Sequence, residues 1–288
     1  MDVVTDLSML PHRGETHVCV LAPTGDDALA QAGAELLGLK WPLEERQLRR
    51  PNALVTNEEV DLVLLVLSED RKLSPLRLLS RGRGALLIGD ENTLALVRAA
   101  LQSVSRAPWA ALVTAVLAVA HQCEEVLGAI DDDSQDLAQQ SSGYASSAQR
   151  RVVGRLRADL FRIGETQAAQ RTLLSIDEEV AELIGKEHRR AVTRAARTFE
   201  ANQATATRVY AMLGDVLNEQ DSVVSERLTL VATIFLPLTL ATGFFGMNFQ
   251  WMVDRVGGLL AFIALGIVVP AVLAGATLIF IRRLTRSV

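Results

Sequence analysis

Two long uncharged segments near the C-terminal end constrain this chain more than any other feature. Leu228–Phe245 reads LTLVATIFLPLTLATGFF and Leu259–Ile281 reads LLAFIALGIVVPAVLAGATLIFI, with no Asp, Glu, Lys or Arg in either. At about 1.5 Å of rise per residue the first reaches roughly 27 Å, close to a hydrocarbon core of about 30 Å; the second is long enough to cross with some tilt. Pro237 and Pro270 fall inside these runs. Proline breaks a helix in water, but in a bilayer neighbouring helices and local adjustment satisfy the freed carbonyl. A soluble core helix imitates one such segment. Two in succession predict a transmembrane hairpin.

The flanks set its orientation. Arg227 precedes the first segment, Arg282, Arg283 and Arg286 follow the second, and the loop between carries only Asp254 and Arg255. Excess positive charge stays on the cytoplasmic side, so both termini are expected in the cytoplasm and the short loop outside. Met1-Asp2-Val3-Val4 starts no basic stretch followed by an apolar run, which predicts no cleavable signal. The balance of 29 Lys and Arg against 34 Asp and Glu, a net charge of −5, argues against a nucleic-acid partner, because phosphate binding needs a basic footprint. Cys19 and Cys123 show no CxxC or His/Cys spacing and read as buried apolar thiols in a reducing compartment.

Before the membrane segments, three apolar runs read as strands: His17–Ala22, Val60–Leu67 and Ala85–Ile88. Asp27–Leu37 and Thr93–Val104 read as helices between and after them. The alternation predicts a cytosolic α/β domain over 1–106, with Pro108 as the break. The turn Ala22–Asp27 lacks the Gly-Lys-Ser/Thr ending of a phosphate loop. Residues 107–227 read as a helical stalk, with breaks expected near Asp131-Asp132-Asp133 and Ser141-Ser142-Gly143. Apolar residues at helical spacing (Leu174, Val180, Leu183, then Val209, Met212, Val216) predict a long helix or helix pair running into the first span. Residues 228–288 form the hairpin, and the fold class is α+β. Asp131, Asp132 and Asp133, and Asp177, Glu178 and Glu179, are candidate regulatory cation ligands or plain solvated helix faces. The basic stretch Arg71-Lys72, Arg77, Arg81, Arg83 faces anionic lipid or acidic neighbours, or forms a solvated loop. Nothing forms a nucleophile–base pair, so no enzyme is predicted.

Gly246-Met247-Asn248 follows the first segment directly. Alone, it reads as a glycine-capped helix end. Together with the run from Leu228-Thr229-Leu230 through Pro237-Leu238-Thr239 to Gly243-Phe244-Phe245 and Phe249, it closely resembles the CorA family of two-span, GMN-type divalent metal transporters. The resemblance implies a funnel-shaped homopentamer in the inner membrane, with the first span of each subunit around a central pore. It implies that Gly246, Met247 and Asn248 form the selectivity ring, and that Gly243, Thr239, Leu236, Leu228, Ser225 and Ser222 line the pore. Leu236 and Leu228 would then be hydrophobic constrictions; as leucines they also suit lipid or helix packing. Amide oxygens suit a strongly hydrated cation because they hold its water shell without stripping it.

The loop Gln250–Arg255 departs from the family pattern by lacking one acid and the proline, leaving Asp254 at the outer mouth. That points to a divergent bacterial branch, CmaX-like or ZntB-like, and puts zinc beside magnesium as cargo, with cobalt a third candidate. Between Leu228 and Ile281 no His, Cys or Glu is present, so a dehydrated zinc ion finds no preferred ligand and passage of a hydrated ion is expected. No cofactor is implied beyond the transported cation. The alternative is a non-conducting, membrane-anchored metal sensor or scaffold.

Overall fold

Within Glu59–Leu67, the stretch Leu62–Leu67 is apolar at every position, which suits a strand covered on both faces. In the computed structural model Glu59–Leu67 is β4 of a six-stranded sheet. The structure describes residues 2–11, 18–45, 47–56, 58–81, 84–102, 107, 109–140, 147–175, 178–246, 258, 260 and 263–286. The other strands are β1 (Asp2–Val4), β2 (Val18–Pro23), β3 (Asn52–Val55), β5 (Leu73–Arg81) and β6 (Gly84–Gly89). Their order is β1-β2-β6-β5-β4-β3, with β1, β2 and β6 parallel and β6 to β3 antiparallel.

Alternation along the strands divides the core in two. One face presents Val18, Val20, Ala22, Leu79 and Leu86 to helix α1 (Asp27–Leu37), which supplies Leu29, Ala30 and Ala34. Gly33 allows this approach: a Cβ there would stand 3.0 Å from Val20 Cγ1 and 3.1 Å from Leu86 Cδ1. Gly38 ends the helix at φ 71°, a left-handed cap that suits glycine. At the other end the Asp26 carboxylate accepts the Leu29 amide at 3.0 Å. A carboxylate thus occupies the helix N-terminus where a phosphate would sit in a nucleotide loop.

The opposite face of the sheet, with Leu62, Leu64, Leu76, Leu78 and Leu87, packs on α2 (Glu91–Leu101) and α3 (Ala110–Gln140). Helix α4 (Ser147–Ser175) and helix α5 (Glu178–Gly246) follow, and Ala195 and Phe199 of α5 join the same core. Buried positions on α5 recur as Ala195, Phe199, Asn202, Ala206, Val209 and Leu213, spaced three or four apart, the stripe of an amphipathic helix. Arg171 with Glu200 (3.5 Å) and Arg157 over the Tyr210 ring (4.3 Å) show α4 and α5 running antiparallel. Asn202 Nδ2 donates to the Ala120 carbonyl at 2.9 Å, tying α5 to α3.

Contacts divide the described residues into two compact units, one ending at Val216 and one starting at Leu217. In the second, α5 continues to Gly246, and a π-turn at Ala264–Val268 leads into α6 (Val269–Arg286).

Several local expectations change. No break occurs at Asp131–Asp133, because α3 runs through them. Ile130 and Ser134 are buried on either side of the acids; Asp132 and Asp133 are exposed, while the Asp131 side chain is mostly covered. The basic stretch is mostly β5 rather than a solvated loop, and it meets acidic neighbours, Arg71 with Asp133 and Arg81 with Glu58 among them. There Arg77 makes a two-pronged pair with Asp61 of β4, at 2.7 and 3.1 Å, with both side chains mostly covered. Arg83 and His17 lie outside the described residues.

Candidate ion-conduction segment

From Leu228 the stripe on α5 gives way to apolar residues on every side. Leu228 is 66% exposed and Leu236 76%, and Phe235 and Leu240 are similarly uncovered. The 18-residue apolar window of this helix has none of its residues buried. Helix α3 also holds a window apolar enough to cross a membrane, but most of it is buried against the sheet, as expected of a core helix. A patch of apolar surface this continuous is unstable in water and requires lipid or other protein around it. The second apolar segment is described from 263 onward, apart from Leu260, and is helical from Val269.

The proposed pore residues Ser222, Ser225, Leu228, Leu236, Thr239, Gly243 and Gly246 all lie on α5, Gly246 as its last residue. At about 100° per residue they fall within roughly 120° of arc, one face of the helix. Met247, Asn248 and Asp254 lie outside the described residues.

Four threonines share a feature that the sequence reading did not single out. Each hydroxyl donates to the carbonyl four residues earlier: Thr229 to Ser225 (2.9 Å), Thr233 to Thr229 (2.7 Å), Thr239 to Phe235 (2.8 Å) and Thr242 to Leu238 (3.0 Å). With the proton committed to the backbone, each oxygen offers only lone pairs outward. The signal was the recurrence of Thr, at steps of four, six and three residues, in an otherwise apolar run. Pro237 lies inside this stretch and has no N–H to give the Thr233 carbonyl.

The acidic candidates are partly committed. Asp131 accepts two bonds from Arg208, at 2.6 and 3.2 Å; the guanidinium holds its carboxyl below the usual value, and the carboxylate raises that of Arg208 in turn. Asp133 pairs with Arg71 at 3.2 Å, which docks the β4–β5 turn on α3. Asp132 is exposed beside them. Among the described residues no group of three or more His, Cys, Asp or Glu is placed to hold a metal ion. Asp177 lies outside those residues, and Glu178 and Glu179 open α5. Both thiols are buried, and burial pushes Cys19 and Cys123 up to about 12.

A sequence profile of the family described as CorA-like Mg2+ transporter protein matches residues 63–283. The complete structure of the CorA magnesium transporter from Methanocaldococcus jannaschii aligns at a TM-score of 0.68 and 15% identity, covering 96% of this chain and 93% of that one. Full-length CmaX protein aligns at 0.56 and 16% identity, over 97% of this chain and 92% of that one. The soluble domain of the M. jannaschii CorA gives 0.59 at 12% identity, covering 71% of this chain and 87% of that one. At such identities these structures establish a shared fold. No curated protein matches the chain in sequence.

Proposed function

The chain belongs to the CorA-like Mg2+ transporter family, and from that premise we propose that it is a divalent-cation channel passing hydrated Mg2+ or Zn2+ through a pore lined by the C-terminal part of α5. The observation that carries this reading is the uncovered apolar end of α5, with threonine oxygens presented as acceptors. Two spans from one chain cannot enclose a water-filled path, so several copies are needed, and a homopentamer with Asn248 at its outer mouth is the arrangement we favour. Lone pairs facing the ion's water shell suit a cation that keeps its water, since bound water points its hydrogens outward. Leu236 and Leu228 act as dry constrictions when the pore is closed. We assign 1–106 to a cytosolic α/β domain, 107–227 to a cytosolic stalk and 228–288 to the membrane hairpin, with both termini cytoplasmic at the inner membrane.

Purified full-length protein in liposomes, loaded with a metal-sensitive dye, tests the proposal. Mg2+, Co2+ and Zn2+ are offered in turn. We expect metal influx at least tenfold above empty liposomes, and an Asn248→Ala variant with most of its flux or discrimination lost. Unchanged flux in that variant rejects the selectivity ring. Absence of flux for all three metals supports the non-conducting scaffold instead.

A further inference from the structure

Strand β3 begins at Asn52, directly after Pro51, so β4 loses its neighbour beyond Val63. A cavity of about 850 Å³ opens there, between the loop 48–51, the β4–β5 edge and α4. Its apolar lining includes Leu65, Leu73 and Pro75, together with the ring of Phe161, which is 58% exposed. Three guanidiniums border it: Arg49 and Arg50 from the loop and Arg162 from α4. None of the three is paired with a carboxylate among the described residues. Other arginines at folded contacts are matched, such as Arg77 with Asp61 and Arg208 with Asp131.

The cavity is also held in shape. Asn52 Nδ2 donates to the carbonyls of Gln47 and Arg50, both at 2.9 Å, which pins the arginine loop. Phe161 leans on Tyr210 with ring centroids 6.3 Å apart, and Arg157 covers the Tyr210 ring at 4.3 Å. Three clustered positive charges beside an aromatic face, over an apolar floor, call for a ligand that is polyanionic at one end and flat and apolar at the other.

We propose that this cavity binds a nucleoside di- or triphosphate, with its phosphates on Arg49, Arg50 and Arg162 and its base against Phe161. The volume is within the range of small-molecule sites. Guanidiniums grip phosphate oxygens in pairs, which a lysine patch would not. Glu165, on the same wall, repels phosphate and so orients the ligand; its carboxylate accepts from a ribose hydroxyl or an exocyclic amine. Recognition by guanidiniums favours the uncomplexed nucleotide over its magnesium chelate, because chelation neutralises the charge they read. The site stands whether or not the membrane segment conducts.

Calorimetric titration of ATP into the full-length protein in detergent tests this, with EDTA present and ionic strength fixed. We expect saturable binding of about one ATP per chain, weaker when Mg2+ replaces EDTA. Arg50→Glu and, separately, Arg162→Glu should each weaken binding at least tenfold, and Phe161→Ala about tenfold. All three residues are exposed, so circular dichroism should match the parent. Tripolyphosphate binding as tightly as ATP would overturn the nucleoside assignment, leaving only a polyanion patch. No ATP binding at millimolar concentration, or charge-reversal variants that bind like the parent, would overturn the site. If ATP fails to bind and Arg50→Glu instead dissociates the oligomer on size exclusion, the groove is a contact between copies and the proposal falls.

Discussion

Replacing Gln170 tests how α4 is fastened to the sheet at this same edge. Its Oε1 accepts the Leu65 backbone N–H at 2.7 Å, where β3 no longer reaches, and its side chain is fully buried. A buried donor stranded without a partner costs about 1–3 kcal/mol, and a truncated side chain leaves a void worth about 1 kcal/mol more. Against this, Nε2 of Gln170 has no partner in the parent, so its removal returns part of the loss. Gln170→Ala should therefore cost about 2 kcal/mol, a fall of roughly 4–8 °C in the melting temperature of a domain this size. Gln170→Leu fills the void and should cost less, although Leu65 is still stranded. Gln170→Glu keeps an acceptor but buries a charge, and burial raises a carboxyl's pKa. Its penalty is therefore full at pH 8 and shrinks as the pH falls through the folded-state value, where the neutral acid replaces the amide. Thermal unfolding of the full-length variants, with hydrogen exchange at the Leu65 amide, measures each effect. An unchanged Leu65 exchange rate and a melting point within about 1 °C of the parent in Gln170→Ala would refute the reasoning.

Asp131, held low by Arg208, contributes stability above its unfolded value near 3.9 and loses it as pH falls through the lower folded value. Because Arg208 is 56% exposed, a double-mutant cycle with Asp131→Asn and Arg208→Gln should give a coupling of only about 0.5–1 kcal/mol at pH 7, weakened by salt. Leu236→Ser should raise basal metal leak in liposomes at least several-fold, by wetting a dry constriction; unchanged leak would place Leu236 against lipid. With their thiols pushed up to about 12, Cys19 and Cys123 should resist maleimide at pH 7.5 in folded protein and react on denaturation. Labelling of the native protein within minutes would contradict their burial.

The strands legible in the sequence are those buried on both faces. Val60–Leu67 and Ala85–Ile88 have no competing pattern. Strand β5 was hidden because Pro75 and Arg77 interrupt its apolar run, and only Asp61 on the neighbouring strand explains a charge there. Strands β1 and β3, of three and four residues, are too short for a period to register. The pairing of α4 with α5 was beyond a periodicity argument: it depends on contacts such as Arg171 with Glu200, separated in sequence but adjacent in space. At the candidate site, uncharged composition marked the segment, while the choice of a pore face came from the family resemblance, with helical spacing only consistent with it. The commitment of the threonine hydroxyls was not legible, because it depends on backbone geometry.

Those hydroxyls bear on how a pore built from α5 would treat its cargo. Had the Thr239 proton been free, its oxygen could turn to donate, and an anion's water shell would be met as well as a cation's. Donation to the Phe235 carbonyl at 2.8 Å removes that option. What is left is an acceptor, neutral and too weak to displace inner-shell water from a divalent ion. Such a wall favours cations without trapping them, which a ring of carboxylates would do. It also distinguishes poorly between Mg2+ and Zn2+, since both present the same outward-pointing hydrogens while hydrated. In the proposed pore, discrimination between metals would have to come from somewhere other than the threonines, and the discrimination lost in Asn248→Ala, metal by metal, measures how much of it resides at Asn248.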